Sequence, residues 1–188
     1  VEQNLNEVAK AVETMLFVAK NPLQLADFVS ILEFSQEQIE QAIKTLQEHY
    51  QHHAIQIIEV ANGYQMTTRK DYAHLVEKFL NSPTEVSLTP AALEALAIIA
   101  YRQPVSKGDI EAIRGVNSDA VIKSLLDKGL VEDLGKSNSL GRPTVYGTTD
   151  EFLKHFGLKD LQNLLPVPGL DQRTAIPPIR TLQESEPA

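Results

Sequence analysis

Apolar side chains at Leu5, Val8, Val12, Met15, Leu16 and Ala19 recur at helical spacing, which predicts an amphipathic helix over residues 6–20 that stops before Pro22. A second helix follows through Leu25, Phe28, Val29 and Leu32. A third opens at Ser35, with Gln38 at the spacing of a capping box, and its buried stripe is Ile39, Ala42, Ile43 and Leu46. Residues 55–60 are rich in β-branched side chains, Asn62-Gly63 tolerates positive φ, and residues 64–68 alternate again, a hairpin signal. Residues 71–80 add a fourth helix through Tyr72, Leu75, Val76 and Phe79, and Asn81-Ser82-Pro83-Thr84 then reads as a linker.

The order then repeats. Thr89 caps a helix with Pro90 in its first turn, and Leu93, Leu96, Ala97, Ala100 and Tyr101 form its apolar stripe up to a break at Pro104. Pro104 stands 82 residues after Pro22, and at that offset Asp27 meets Asp109, Phe28 meets Ile110, Ile39 meets Val121 and Ile43 meets Leu125. Ser35 meets Asn117, which aligns the caps of the two third helices. A strand at 130–134, a loop at 135–142 and a strand at 144–148 repeat the hairpin with a longer tip. Three helices and a hairpin in about 80 residues are the pattern of a winged helix. The fold class expected is therefore mainly α with small β-hairpin wings (α+β), in two tandem winged-helix domains. They span residues 1–80 and 90–165, joined by a linker at 81–89. A closing helix at 150–156 is stopped by Gly157, with another turn or two at 158–165. Residues 166–188 hold Pro166, Pro168, Pro177, Pro178 and Pro187 and no aromatic side chain, the composition of a disordered tail.

Composition narrows the chemistry. With 43% hydrophobic and 22% charged residues, the 188-residue chain has enough apolar side chains to bury a core. Zero cysteines exclude a disulfide framework, a thiolate nucleophile and a Cys-type zinc site. The longest apolar run, residues 95–101, is far below the roughly 18 residues that span a bilayer, so no membrane association is expected. The same run flanked by Leu93 and Val105 is either ordinary core or a patch for a partner helix. The N-terminus shows neither a basic region nor an apolar core of a signal peptide, which points to the cytoplasm.

Enzyme chemistry finds no support. Gly135-Lys136-Ser137 resembles the end of a phosphate-binding loop, but Leu130 stands where the first glycine is required, and a wing tip is the simpler reading. His49, His52 and His53 cluster without the spacing of a helical zinc motif, and imidazoles near a helix C-terminus suit the macrodipole. Glu132 and Asp133 sit on one strand and so point to opposite faces, while Asp150 and Glu151 suit a helix start. No cofactor or metal is expected.

DNA binding fails on charge. The net charge is −8, and residues 1–80, 81–165 and 166–188 are each net acidic. The first module's third helix carries Glu37, Glu40, Lys44 and Glu48; in the second, Asp119, Lys123, Asp127 and Lys128 cancel. Only Lys136 and Arg142 remain on the second wing, enough for weak, salt-dependent contact with phosphate. A tandem winged-helix DNA-binding regulator is thus the alternative, and a protein-interaction scaffold the leading reading.

Three blocks carry a resemblance. Leu96-Ala97-Ile98-Ile99-Ala100-Tyr101-Arg102-Gln103-Pro104, then Ile113-Arg114-Gly115-Val116-Asn117-Ser118-Asp119, then Gly141-Arg142-Pro143 with Tyr146-Gly147-Thr148-Thr149, resemble the signature of the bacterial segregation and condensation protein B family. The resemblance covers residues 5–165 and not the tail. It implies a non-enzymatic condensin subunit of tandem winged helices that acts in chromosome condensation and segregation. It also implies a homodimer through the N-terminal modules and binding, by the second module, to the kleisin that bridges the SMC ATPase heads. That places the chain at the nucleoid, with little or no direct DNA binding. Carried over by position, it marks Tyr101, Arg102, Gln103, Arg114, Asn117, Asp119, Arg142, Pro143 and Tyr146 as a mixture of scaffold and kleisin-facing surface. The wing tip Lys136-Ser137-Asn138-Ser139-Leu140 departs from the family in carrying less charge.

Overall fold

The computed structural model describes residues 2–80 and 88–167. Most of the predicted linker and of the Pro-rich tail therefore lies outside the described residues.

In the first module α1 (Glu2–Val18) starts earlier than the apolar spacing predicts and ends sooner, before the bend that leads to Pro22. α2 (Leu25–Leu32) is held at its start by the Asp27 carboxylate, which accepts the Gln24 N–H at 2.7 Å. α3 (Gln36–His49) is capped as its sequence predicts. Ser35 Oγ accepts the Gln38 N–H at 3.3 Å, and Gln38 Oε1 accepts the Ser35 N–H at 3.0 Å. Its buried residues are the four expected, Ile39, Ala42, Ile43 and Leu46.

β1 (Ile55–Val60) pairs antiparallel with β2 (Gly63–Thr68). The turn is displaced by one residue from the expected Asn62-Gly63: positive φ falls on Ala61 and Asn62, and Gly63 opens β2 opposite Val60. Gly63 serves a close approach instead. Leu23 and Tyr64 exchange both backbone hydrogen bonds, at 2.9 and 2.8 Å, and a Cβ on Gly63 would lie 2.7 Å from the Leu23 carbonyl oxygen. After a 3-10 turn at Lys70–Tyr72, α4 (Ala73–Leu80) buries no side chain, and Phe79 is 84% exposed. Its apolar side chains Leu75, Phe79 and Leu80 are therefore open.

The second module has α5 (Pro90–Arg102), β3 (Val105–Ser106), α6 (Lys107–Arg114), α7 (Asp119–Asp127), β4 (Val131–Lys136), β5 (Thr144–Thr148) and α8 (Asp150–Phe156). Its sheet order is β3-β5-β4. The offset of 82 holds in three dimensions: Val105 stands opposite Tyr146 as Leu23 stands opposite Tyr64, and Gly115 ends α6 at positive φ as Glu33 ends α2. On α5 the buried set is Ala92, Ala95, Leu96, Ile98, Ile99 and Ala100, while Leu93 turns outward. The apolar run is thus mostly core rather than a partner patch, and its buried stripe is rotated from the one expected, with Ala92, Ala95 and Ile98 inward in place of Leu93 and Ala97. The N-cap of α7 is Ser118, one residue later than the aligned Asn117, which instead takes the Asp119 N–H on Oδ1 at 3.1 Å.

Two cores result. The first gathers Val8, Val12, Leu16, Phe28, Ile39, Ile43 and Ile57. The second is built on Leu96, Ile99, Ile110, Leu125, Leu130 and Phe152, and it includes Val60 and Ala61 from the first module's hairpin.

Candidate partner-binding surface

The nine signature residues fall into three places. At the junction of α5 and β5, Gln103 works as an internal clip. Its Oε1 accepts the Thr148 N–H at 2.7 Å, and its Nε2 donates to the Ala100 carbonyl at 3.3 Å and to Thr148 Oγ1 at 3.0 Å. A Cβ on Gly147 would meet Gln103 Oε1 at 2.8 Å and Leu134 Cδ1 at 2.7 Å, so the glycine leaves room for the clip. Tyr146 lies half-buried against the second core. Tyr101 donates its hydroxyl proton to the Leu165 carbonyl at 2.5 Å, and Arg102, half-buried, closes α5 beside it.

The second place is the α6–α7 turn. The Arg114 side chain is only 5% exposed; its Nε donates to Glu94 on α5 at 3.1 Å and its Nη1 to the buried Ser118 hydroxyl at 2.7 Å. Glu111 accepts the Ser118 N–H at 2.9 Å, so this hydroxyl-bearing N-cap is held from two sides. Asn117 and Asp119 are exposed. Asp119 accepts from Asn117 Nδ2 at 3.0 Å and pairs with Lys107 at 2.5 Å. The Lys107 hydrogen bond, seconded by Asn117, pulls the Asp119 carboxyl below its ordinary value, and the same pair raises Lys107. Sequence reasoning missed Lys107, Glu111, Glu94 and Ser118. The one signal available was Ser106 with Asp109 three residues on, a capping box that fixes the start of α6 and with it the position of Lys107.

Arg142 and Pro143 form the third place, at the tip of the second wing. Arg142 is exposed, and the Pro143 carbonyl accepts the Ser137 N–H at 2.9 Å. The structure does not bring the three places into one cleft. Gln103 and Arg114 are spent on internal bonds; Asn117, Asp119 and Arg142 are open to a partner.

The helix faces that would read DNA are open, but the first is net acidic and the second carries no net charge. Glu37, Glu40, Lys44 and Glu48 on α3 are all exposed, as are Asp119, Lys123, Asp127 and Lys128 on and beside α7. Lys136 on the wing donates to Thr144 Oγ1 at 2.7 Å. The histidines beyond α3 stack, with His49 and His53 ring centres 5.2 Å apart. Among the described residues no three potential ligands gather for a metal ion, and no helix is long and apolar enough to cross a membrane.

The fold and surface together define a doubled winged-helix protein with an acidic α3 face, a charge-balanced α7 face, and Gln103 and Arg114 turned inward. The family model described as "Segregation and condensation complex subunit ScpB" matches residues 10–167, and the chain belongs to that family. Segregation and condensation protein B of Alkaliphilus metalliredigens is 39% identical over 169 residues, covering 89% of each chain. That of Geobacillus thermodenitrificans is 43% identical over 164 residues, covering 85% of this chain and 78% of the relative. The crystal structure of ScpB from Mycobacterium tuberculosis matches at 31% identity with a TM-score of 0.39, covering 82% of this chain and 97% of that one.

Proposed function

We propose that the chain is a non-enzymatic scaffold of a bacterial SMC–kleisin condensin, cytoplasmic and drawn to the nucleoid through that complex. In this reading the second module, residues 90–165, binds the kleisin subunit, and the first, residues 1–80, pairs with a second copy. The observation that carries it is the pairing of family membership with exposed, acidic α3 residues Glu37, Glu40 and Glu48, which repel a polyanion. Phe17, Val18, Ile31, Leu75 and Phe79 leave large apolar side chains open on the first module, as a self-pairing surface requires. For the kleisin face, Asn117, Asp119 and Arg142 supply the exposed polar contacts, and Tyr101, Arg102, Pro143 and Tyr146 add to it from the α5–β5 junction and the wing. Gln103 and Arg114 act as their support.

The test is light scattering on the species eluting after the chain is mixed with its cognate kleisin, repeated with Asp119→Lys, Arg142→Glu and Arg114→Ala. Two copies with one kleisin are expected. Arg142→Glu should weaken the complex at unchanged thermal midpoint; Asp119→Lys, which also loses the Lys107 pair and the favourable charge at the start of α7, should weaken it with a small loss of stability, whereas Arg114→Ala should lower stability by about 2 kcal/mol, as loss of a hydrogen bond from a charged group does. Separate elution, together with salt-sensitive binding to duplex DNA, would replace this reading with the DNA-binding regulator.

A further inference from the structure

In a free wing, one face of the hairpin packs on its own module and the other meets water. β1 does not follow that rule. Ile57 packs in the first core, while Ile58 and Val60, on the opposite face of the strand, pack with the second. A strand buried on both faces reads as a nearly continuous apolar run, and Ile57-Ile58 followed by Val60 has that character.

The turn is stranger still. Ala61 adopts φ 49°, in the left-handed region where Asn, Asp and Gly are the ordinary occupants and where Cβ costs an alanine about 1 kcal/mol. A polar residue would relieve that cost at a solvated tip. Ala61 is instead 5% exposed, seated in the core of the second module. Around it the Ala61 N–H donates to the Leu158 carbonyl at 3.0 Å and the Asn62 N–H to the Lys159 carbonyl at 2.8 Å. Lys159 also pairs with Glu59, and Lys154 Nζ reaches Asn21 Oδ1 at 3.3 Å.

We propose that the first wing is an internal latch: its tip, seated on the 158–159 segment and the second core, holds the two modules as one rigid body. Two modules joined by a short linker ordinarily move against each other unless a substantial apolar contact stops them. The seated tip is that contact. A partner then meets the second wing and the outer helix faces at a fixed angle, and the first wing is withdrawn from recognition.

The absence of cysteine makes the test direct, because labels go only where they are placed. Spin labels at Lys44→Cys on α3 and Lys123→Cys on α7, both exposed positions, report the distance between modules by double electron–electron resonance. The labelled chain is mixed with excess unlabelled chain so that only one chain's pair is read. The expected result is a single narrow distance. Ala61→Asp should broaden it severalfold, since aspartate suits the turn's φ but a carboxylate opposes burial in the second core. Ala61→Gly, which suits the turn and adds no charge, should leave it narrow. Lys159→Glu, which leaves the hairpin sequence intact and sets a carboxylate against Glu59, should broaden it in part, and adding Glu59→Lys should narrow it again. A broad distribution in the parent, or one as narrow in Ala61→Asp as in Ala61→Gly, overturns the latch.

Discussion

At the scale of single residues, the polar side chains that matter most are the half-buried ones. Tyr50, just beyond α3, donates its phenolic proton to the Glu13 carboxylate on α1 and so bridges the first and third helices of its module. That bond, then burial, then the nearby negative charge of Glu13 push the Tyr50 phenol up from 10.0 to about 12. A group whose folded value is raised stabilises fully below its unfolded value and loses that contribution as pH climbs through the folded one. The bond should therefore stabilise the chain at neutral pH and fade between pH 10 and about 12. Tyr50→Phe should cost about 1 kcal/mol at pH 7, the usual net worth of one hydrogen bond. In urea denaturation across pH, the gap between variant and parent should close over that alkaline window. A gap that stays constant to pH 12 would mean that the phenolic proton shared with Glu13 does not carry the effect.

Among the elements, the two modules show how one plan is kept while its parts change. The bridge of Leu23 to Tyr64 recurs as Val105 to Tyr146, and in the first copy it depends on a bare backbone at Gly63. There the three nearest atoms to an added Cβ are all main chain, the Leu23 carbonyl oxygen and carbon at 2.7 and 2.9 Å and the Gln24 nitrogen at 3.3 Å, rather than a flexible side chain that could yield. Gly63→Ala should thus cost about 1–3 kcal/mol, in the range of overpacking, and should speed amide exchange at Leu23 and Tyr64. Gly115→Ala, at φ +73° with nothing within 4 Å of the new Cβ, should cost about 1 kcal/mol and leave those amides alone. Unchanged amide exchange at Leu23 and Tyr64 in Gly63→Ala would refute the steric account. The helices were legible in the sequence because their signals are local: the Ser35 capping box, the α3 stripe and Gly157 all stand where spacing puts them. Short strands such as β3 were not, since two residues have no period. The open stripe of α4 and the rotated stripe of α5 were missed because periodicity finds an apolar face without saying what covers it. Of the candidate surface, the residue types were legible through the signature blocks. Their division into support and contact was not, because Arg114 meets Glu94 and Ser118 only once α5, α6 and α7 have packed.

For the molecule as a whole, the seating of Val60 and Ala61 in the second core means that the second core is completed only by the first module's hairpin. Loss of the first module exposes a socket in the second, and loss of the second strips one face of β1. The two free energies of unfolding are then coupled, and the chain should unfold in one cooperative step although its sequence reads as two domains. Residue-resolved NMR through a urea titration separates the possibilities. Signals from Ile39 in the first core and Ile99 in the second should vanish at one midpoint in the parent chain. In Ala61→Asp they should part, with the less stable module melting first, because a carboxylate at the seat favours the undocked form. Coupling of this kind gives a net-acidic scaffold a stiffness that its net charge of −8 works against, since self-repulsion alone would spread the modules. Raising the salt should consequently narrow the difference between the two midpoints in Ala61→Asp while leaving the parent's single midpoint single. Two midpoints in the parent at any salt would show that the modules fold apart and that the wing contact is too weak to join them.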